Sequence, residues 1–254
     1  MQGIKGLCIV GVVLSAFMTG GQSGCEQCDD GDGNGICDHQ ESRTVDFAGY
    51  TWTVKAGLDL GPGPNDWSGS ENNVWLDDDG LHLAITQTGA NWYCAEVYLT
   101  EALGFGRYTF RLKGAVDHLD PMVIAAPFLY RDDVNELDIE FARWGDAEDE
   151  TNAQYVVQPY FRDGHLMRYA FDLGGEEVST HVIDWTPERV VFTSAPGLDP
   201  DGPEAYSWTF DDVSAIPGEE GMDVHLNLWL YQGEAPSDGQ GVEIVMTDFN
   251  FEGA

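Results

Sequence analysis

Three carboxylic acids occupy alternate positions in the segment NELDIEFARWG, which runs from residue 135 to residue 145. They are Glu136, Asp138 and Glu140. Because successive side chains of a β-strand point to opposite faces, this spacing predicts that the acids share one face while the apolar residues between them anchor the other in a core. Hydrolysis of a glycosidic bond with retention of configuration needs such an array, with one carboxylate as nucleophile and a second carboxyl group as acid and then base.

The middle acid, Asp138, has its own role in this interpretation, because it can hold a proton between Glu136 and Glu140 and tune the pKa of both. Like charges in a row on one strand destabilise it, which favours a functional reason for the pattern. The alternative is chance. In a chain with 45 Asp and Glu residues among 254, such spacing arises roughly 0.3 times, so the context has to decide.

Short segments with strand character, separated by turn sequences such as DDDG, GFG, RDG and LGG, occupy most of the chain after residue 44. The predicted strands are Leu81–Thr86, Cys94–Leu99, Tyr108–Lys113, Val123–Tyr130, Glu136–Phe141, Ala153–Tyr160, Leu166–Phe171, Arg189–Thr193, Tyr206–Phe210, Val224–Trp229 and Val242–Phe251. No long stretch has apolar residues at helical spacing. This pattern predicts a single all-β domain, a sandwich or jelly roll.

The composition is strongly acidic, with a formal net charge of −34 and only 11 Lys and Arg residues. Nucleic acids and anionic membranes bind basic patches, so we expect neither as a partner. Sulfated or uronic polysaccharides are disfavoured as well, because like charges that meet at an interface cost energy. A neutral polysaccharide is the easier substrate.

Residues 1–24 are predicted to be an export signal. Lys5 supplies the positive start, and Leu7–Met18 is an apolar run of 12 residues, whereas a membrane-spanning helix needs about 20. The sequence SGC that ends at Cys25 is similar to the end of a bacterial lipoprotein signal, which would place a lipid anchor on Cys25. No other segment is apolar enough to span a membrane. The protein is therefore predicted to be secreted or held at the cell surface.

Residues 25–43 are rich in Asp, Gly and Cys and are predicted to be a linker before the main domain, residues 44–254. Six residues match positions 1, 3, 5, 6, 9 and 12 of an EF-hand calcium loop, namely Asp30, Asp32, Asn34, Gly35, Asp38 and Glu41. No amphipathic helices flank them, and the segment is more similar to the calcium loops of thrombospondin type 3 repeats. The alternative is a flexible acidic linker that binds no metal.

The four cysteines that follow the leader allow three pairings, which the sequence does not distinguish. Cys37 can pair with Cys28 or Cys25 in an oxidising compartment. Cys94 lies in an apolar strand and is predicted to be a buried free thiol. The six histidines of the chain show no metal-ligand spacing and are interpreted as structural.

Around the acidic strand the chain resembles glycoside hydrolase family 16, and within it the bacterial lichenases and related β-glucanases, which carry E-x-D-x-E on a strand of a β-jelly roll. The resemblance covers roughly residues 45–252 in order and spacing. Its other segments are Trp67, Asn72–Trp75, Cys94–Gly114, His181–Phe192 and Leu226–Gly233. It implies a β-jelly-roll sandwich of the concanavalin A-like type, with two antiparallel sheets and a concave substrate groove.

The resemblance also implies roles for single residues. Glu136 corresponds to the nucleophile, Asp138 to the assisting acid and Glu140 to the general acid/base. Glu96, Asn227 and Trp229 are implied to hold sugar in the groove, Trp229 by stacking on the apolar face of a pyranose. From the residues alone, a core tryptophan and a solvated glutamate are the alternatives.

A structural calcium is implied on the convex side, held by Asp248 of the last strand and by a backbone carbonyl at Gly80, with a solvent-facing Asp248 as the alternative. No cofactor is expected for catalysis. Some residues depart from the family pattern. Val134 stands where lichenases tend to have Trp, and Arg143 with Trp144 follows the acidic strand, where these two residues are predicted to rebuild one wall of the groove.

Three functions remain open. The first is an endo-acting β-glucanase with a retaining mechanism, which cuts a β-1,3-1,4 or β-1,4 backbone and works as a monomer. The second is a transglycosylase, in which a sugar instead of water resolves the glycosyl-enzyme. The third is a non-catalytic, lectin-like protein on the same sandwich, since a fold alone does not prove activity. The joint presence of Glu136 and Glu140 favours an enzyme.

Overall fold

A computed structural model of the protein describes residues 41–254. The predicted export signal at residues 1–24 and the lipid site at Cys25 lie outside the described residues. So do four of the predicted calcium ligands, Asp30, Asp32, Asn34 and Asp38, and these predictions stay as they are.

The described residues form 17 β-strands and no α-helix. The strands are β1 (Arg43–Phe47), β2 (Tyr50–Val54), β3 (Gly57–Leu60), β4 (Asn65–Trp67), β5 (Val74–Leu76), β6 (Leu81–Thr88), β7 (Asn91–Tyr98), β8 (Gly106–Lys113), β9 (Val123–Asp132), β10 (Asn135–Phe141), β11 (Ala153–Val157), β12 (Leu166–Tyr169), β13 (Val178–Trp185), β14 (Val190–Pro196), β15 (Tyr206–Phe210), β16 (Asp223–Leu230) and β17 (Val242–Gly253). Short 3₁₀ turns lie at Val116–His118 and Tyr231–Gly233. Between residues 41 and 254, no helix is long and apolar enough to cross a lipid bilayer.

Fifteen of the strands form two antiparallel sheets that share one core, while the short strands β3 and β4 pair with each other and β4 also pairs in parallel with β7. The first, called the groove sheet below, has the order β1-β2-β7-β16-β9-β10-β11-β12. The second, called the back sheet, has the order β5-β6-β17-β8-β13-β14-β15. The sheets are joined where β6 pairs with β7. This arrangement confirms the predicted all-β, jelly-roll sandwich.

Side chains alternate between the core and the open face along the strands of the groove sheet. On β10 the three apolar residues Leu137, Ile139 and Phe141 are wholly buried among residues from both sheets. Burial of each such side chain contributes about 1.5–3 kcal/mol, whereas like-charge neighbours on a strand cost roughly 0.2–1 kcal/mol per pair. The core side of β10 therefore holds the strand in place against repulsion between the acids on its other face.

The first strand fixes where the domain begins. The predicted linker ends at residue 43, but Arg43 is already the first residue of β1, and its guanidinium donates to the carbonyl oxygens of Gly69 and Val74. Glu41, the remaining predicted calcium ligand, precedes β1 and is half-buried. A Cβ at Gly69 would lie 1.7 Å from the Glu41 carbonyl oxygen, so this close approach needs glycine at position 69.

A buried histidine on the back sheet bridges two acids. His82 of β6 lies 2.8 Å from Glu243 through Nδ1 and 2.8 Å from Asp77 through Nε2, and it stacks on Trp75 at 4.6 Å. Only the imidazolium donates from both ring nitrogens at once. Burial opposes the charge and is the largest single influence on the ring, but the hydrogen bonds and charges of Asp77 and Glu243 together outweigh it and raise the pKa of His82.

We predict that this bridge makes the stability of the fold depend on pH. A raised folded-state pKa gives stability that is fully present below the unfolded pKa of about 6.5 and is lost as the pH rises through the folded value. The melting temperature of the wild type should exceed that of His82→Gln most at pH 5 to 6. The difference should shrink by about 2–4 °C toward pH 9, the change that ~1 kcal/mol produces in a domain of this size. Parallel melting curves for the two proteins at every pH would contradict the prediction.

Candidate active site

A groove crosses the open face of the groove sheet. It encloses about 560 Å³ and is lined by side chains of β7, β9, β10 and β16, with Gly61 and Pro62 at one edge. Neighbouring strands lie about 4.8 Å apart, so these four strands give the floor a width of roughly 14 Å. Six of the predicted site residues line it, namely Glu96, Glu136, Asp138, Glu140, Asn227 and Trp229.

The acidic strand places its three carboxyl groups on the groove side, as the alternation predicted. Glu136 and Glu140 are half-buried, and Asp138 between them is buried. The strand register sets Asp138 opposite Phe128 of β9 and opposite Val156 of β11, and it sets Glu140 opposite Gln154 of β11. The acids therefore lie along one side of the groove floor, on β10, with the two neighbouring strands supplying their immediate surroundings.

Amide side chains of β11 and its following loop hold two of the acids. Gln154 donates from Nε2 to Oε2 of Glu140 at 2.6 Å, and Gln158 donates from Nε2 to Oδ2 of Asp138 at 3.3 Å. The orientation of Gln154 is itself fixed, because its Oε1 accepts from Nη1 of Arg168 at 3.2 Å and from the indole of Trp144 at 3.3 Å. The amide thus presents N–H, not oxygen, to Glu140.

Burial raises the pKa of all three acids, and their hydrogen bonds distinguish them. Burial raises the pKa of Glu136 to about 8, that of Glu140 to about 7, and that of Asp138 well above its ordinary value. Three acids this close lose their protons in shared steps. The hydrogen bond between Glu136 and Asp138 lowers the pKa of Glu136 and raises that of Asp138. Within that pair the proton is therefore held more readily by Asp138 than by Glu136.

Glu140 has the surroundings of a general acid. Burial is the main reason for its raised pKa, while Gln154 and the charge of Arg168 act in the opposite direction and keep the shift moderate. The hydrogen bond from Gln154 engages Oε2 and leaves Oε1 for a transferable proton. A carboxyl group that keeps its proton near neutral pH is what the acid step of a retaining glycosidase requires.

Glu96 is not a solvated strand residue. It is 3% exposed, and its two oxygens lie 2.7 Å from Nζ of Lys55 and 3.0 Å from Nδ1 of His225. Burial opposes its ionisation, but the hydrogen bonds from His225 and Lys55, with the positive charge of Lys55 beside it, lower its pKa. Glu96 is therefore a carboxylate at the groove floor whose protein partners are already in place.

Trp229 and Asn227 lie on the groove side of β16, where the resemblance to family 16 implied them. Trp229 is largely buried and packs edge-on against Trp144 with ring centroids 6.0 Å apart. Trp144 adopts a left-handed backbone conformation (φ 53°), which is strained for a bulky residue. Trp144 contacts the site indirectly, by its ring contact with Trp229 and its hydrogen bond to Gln154. Arg143 is half-buried after β10 and is not one of the residues that line the groove, so its predicted contact with substrate stays a prediction.

The predicted calcium ligands on the convex side are engaged with other groups. Asp248 forms an ion pair with Arg111 of β8, and the Gly80 carbonyl accepts a hydrogen bond from the backbone N–H of Asp77 at 3.1 Å. A calcium ion at Asp248 would have to displace the guanidinium, so these residues as arranged do not fit the ion. Elsewhere in residues 41–254, no group of three or more His, Cys, Asp or Glu side chains is placed to hold a metal.

Cys94 is a free thiol in the core, as predicted. Burial raises its pKa to about 12, and its Sγ lies 3.3 Å from Oδ1 of Asn65. The thiol is therefore un-ionised at neutral pH and takes no part in the chemistry of the groove.

Several residues of the site were not predicted. Lys55, Gln154, Gln158 and Arg168 depend on pairings between strands that are distant in sequence. His225 had a readable signal, because the alternation in VHLNLWL places it on the same face as Asn227 and Trp229. The sequence interprets His225 as structural, and in the structure it also lines the groove.

The fold is that of solved β-glucanases. A Bacillus licheniformis β-glucanase matches with a TM-score of 0.62 at 20% sequence identity, over 84% of this chain and 98% of that chain. A prokaryotic β-1,3-1,4-glucanase (lichenase) from a mouse hindgut metagenome matches with a TM-score of 0.60 at 22% identity, over 85% and 96%.

A third match is a protein described as an immunostimulatory antigen and pseudo β-1,3-glucanase of Mycobacterium tuberculosis. Its TM-score is 0.59 at 21% identity, over 80% of this chain and 91% of that chain. No protein-family model and no curated protein matches the chain. These identities establish the fold alone, so the chemistry rests on the groove.

Proposed function

We propose that the protein is an exported, endo-acting retaining glycoside hydrolase of the family 16 type that cleaves a neutral β-glucan. The observation that carries the proposal is the unequal treatment of three acids on one strand face. Asp138 holds the proton of its pair with Glu136 more readily than Glu136 does, while Glu140 lies half-buried beside the oriented amide of Gln154. A binding protein has no need for three acids with raised pKa values on one strand face of its groove.

In the first step Glu140 donates its proton to the glycosidic oxygen while the Glu136 carboxylate attacks the anomeric carbon. The bond to the leaving sugar breaks, and an ester between Glu136 and the remaining sugar forms. In the second step Glu140, now a carboxylate, takes a proton from water as the water oxygen attacks the same carbon. The ester breaks, Glu136 leaves as a carboxylate, and Glu140 is protonated again. Asp138 stabilises the charge that Glu136 carries before and after the ester.

The substrate class follows from the charge and shape of the groove. Its floor carries Glu96, Glu136, Asp138 and Glu140, and the whole chain has a formal charge of −34, so an anionic polymer would be repelled. A β-1,3-1,4 or β-1,4 backbone is supported by the E-x-D-x-E form of the acidic strand, and two matched structures carry β-glucanase names.

Two other functions are separated by the same experiment. A transglycosylase would use the first step unchanged and pass the sugar to another carbohydrate. A lectin-like protein would bind polysaccharide without cutting it. One matched structure is described as a pseudo β-1,3-glucanase, which supports keeping this alternative.

The test is release of reducing sugar from mixed-linkage β-glucan, laminarin, xyloglucan and agarose, with Glu136→Ala measured beside the wild type. We expect the wild type to cut mixed-linkage β-glucan and to produce internal fragments early in the reaction. Transfer products without net reducing ends would indicate a transglycosylase. Binding without any cleavage would support the lectin-like alternative and contradict the proposal.

Export, lipid attachment, oligomeric state and calcium binding are proposed from the sequence alone. We propose that residues 1–24 direct export, with a lipid at Cys25 if the signal is of the lipoprotein type. We propose a monomer as the working form. Calcium in the segment before β1 is also a proposal, and catalysis requires no cofactor in this scheme.

A further inference from the structure

Two buried polar atoms at the groove floor have no partner within the part of the chain that the structure describes. They are Nε2 of His225 and Oδ1 of Asn227. His225 is 8% exposed and Asn227 is 3% exposed, and both side chains line the groove. Burying a polar atom without a partner is unfavourable. Both atoms therefore offer a hydrogen bond to whatever fills the groove, water or a ligand.

The ion pair behind His225 determines which chemistry its free nitrogen offers. Nδ1 lies 3.0 Å from Oε1 of Glu96, and the other oxygen of Glu96 lies 2.7 Å from Nζ of Lys55. An ionised carboxylate only accepts hydrogen bonds, so Nδ1 of His225 carries a proton. In the neutral ring Nε2 then presents its lone pair to the groove, as an acceptor. The lysine is held in turn, because it also donates to the Gly61 carbonyl at 2.7 Å and lies 4.1 Å from the Trp67 ring.

Stacking fixes the direction in which that nitrogen points. The imidazole lies between Tyr98 and Phe128, with ring centroids 5.3 Å and 4.6 Å away and interplanar angles of 15° and 26°. Tyr130 packs edge-on at 5.8 Å. Rotation of the ring would break both stacks and the hydrogen bond to Glu96. The ring is therefore held with Nε2 in its binding orientation before any ligand is bound.

The register places His225 one sugar away from the reaction. His225 pairs with Phe128 of β9, and Phe128 pairs with Asp138 of β10. Two strand spacings separate His225 from the acids, about 10 Å. A group bound at His225 therefore belongs to a sugar next to the scissile bond, not to the bond itself.

We infer that His225 is a specificity-determining residue whose Nε2 accepts a hydrogen bond from a free hydroxyl of a neutral sugar, with its tautomer set by Glu96 and Lys55. The inference rests on the proposed function for the identity of the polymer. Because Nε2, Oδ1 of Asn227 and the Glu96 carboxylate are all acceptors, this part of the floor selects sugars that offer hydroxyl donors. A methyl, sulfate or acetyl substituent on that oxygen removes the donor, so the site discriminates against substituted chains.

The test compares His225→Phe with the wild type on mixed-linkage β-glucan and on the same polymer after partial O-methylation. Phenylalanine keeps an aromatic ring between Tyr98 and Phe128 and removes both nitrogens. We expect kcat/KM on the unmodified polymer to fall by about 10- to 100-fold, mostly through KM. The preference of the wild type for the unmodified over the methylated polymer should shrink by a similar factor. A merely structural role would lower the rates on both polymers equally.

A second pair of variants tests the source of the tautomer. Lys55→Met leaves Glu96 without its cation and should reduce the preference for unmodified polymer in the same direction as His225→Phe. Lys113→Met is the matched control, because Lys113 pairs with Asp79 on the back sheet and should behave as the wild type does.

Binding of both polymers, measured by affinity electrophoresis, separates this inference from the proposed function. Weaker binding of unmodified polymer by His225→Phe, in a protein that cuts nothing, would support the inference and contradict the hydrolase. Cleavage by the wild type with an unchanged preference in His225→Phe would overturn the inference alone. Absence of binding to either polymer by the wild type would also overturn it.

Discussion

Glu136→Ala is expected to lower kcat/KM on the cleaved polymer by about 10⁴-fold or more, and sodium azide is expected to restore turnover with an activated aryl glycoside. The carboxylate that attacks the anomeric carbon has no substitute in the groove, since Asp138 is buried, protonated and directed at Glu136 itself. Removal of the side chain opens space on that face of the sugar. Azide entering there gives a glycosyl azide of inverted configuration, which NMR of the product identifies.

Glu188→Ala is the matched control for this experiment. Glu188 is exposed in the turn between β13 and β14 of the back sheet, so its loss should leave kcat/KM unchanged. A glycosyl azide of retained configuration from Glu136→Ala would contradict the assignment of the nucleophile. A loss of activity smaller than about tenfold would also contradict this assignment, because the reaction cannot proceed by this mechanism without its nucleophile.

The acidic strand could be predicted from sequence because everything that determines it is local. Alternation alone places Glu136, Asp138 and Glu140 on one face, and the apolar residues between them are wholly buried on the other. Asn227 and Trp229 of β16 also line the groove, but their place there was implied by the family resemblance and not by alternation. All 11 predicted strands are present, although β11 ends at Val157 because Pro159 follows and cannot donate to a strand ladder.

Other elements have no local signal. Strands β1 to β5 are three to five residues long, and Gly, Pro and Asn residues interrupt the segment that holds β3 to β5, so alternation is hard to recognise there. β13 is eight residues long, but VSTHVIDW carries Ser179, Thr180 and His181 in buried positions. Its polar side chains form hydrogen bonds inside the core; the two ring nitrogens of His181, for example, bond to the hydroxyls of Ser179 and Ser194. Such pairing is a product of the fold and is not visible in the strand itself.

The groups that tune the acids are also products of the fold. Gln154 is 14 residues from Glu140 in sequence, and Lys55 is 41 residues from Glu96. Their contacts depend on strand order and register, and a shift of one residue would turn each side chain to the opposite face. The sequence therefore predicts which residues react, whereas the register of β11, β7 and β16 determines their protonation.

Glu140→Ala is expected to lower kcat/KM on the polymer by about 10³-fold, within the range for a lost general acid and base, while an aryl glycoside with a good leaving group still forms the glycosyl-enzyme. The poor leaving group of a natural glycosidic bond needs a proton, whereas an activated phenolate does not. Turnover should then stop at the ester, and azide should release it as a glycosyl azide of retained configuration. Accumulation of a covalent adduct on Glu136, seen by mass spectrometry, checks the step.

The pH profile identifies the same residue independently. Glu140 acts as an acid only while protonated, so wild-type kcat/KM should fall as the pH rises through its pKa, which burial raises to about 7. In Glu140→Ala this basic limb should disappear. In Gln154→Leu it should move to higher pH, because the hydrogen bond from Gln154 lowers the pKa of Glu140 and its loss favours the protonated form. A basic limb that survives in Glu140→Ala would assign the proton donor to another group, and the role of Glu140 would have to be abandoned.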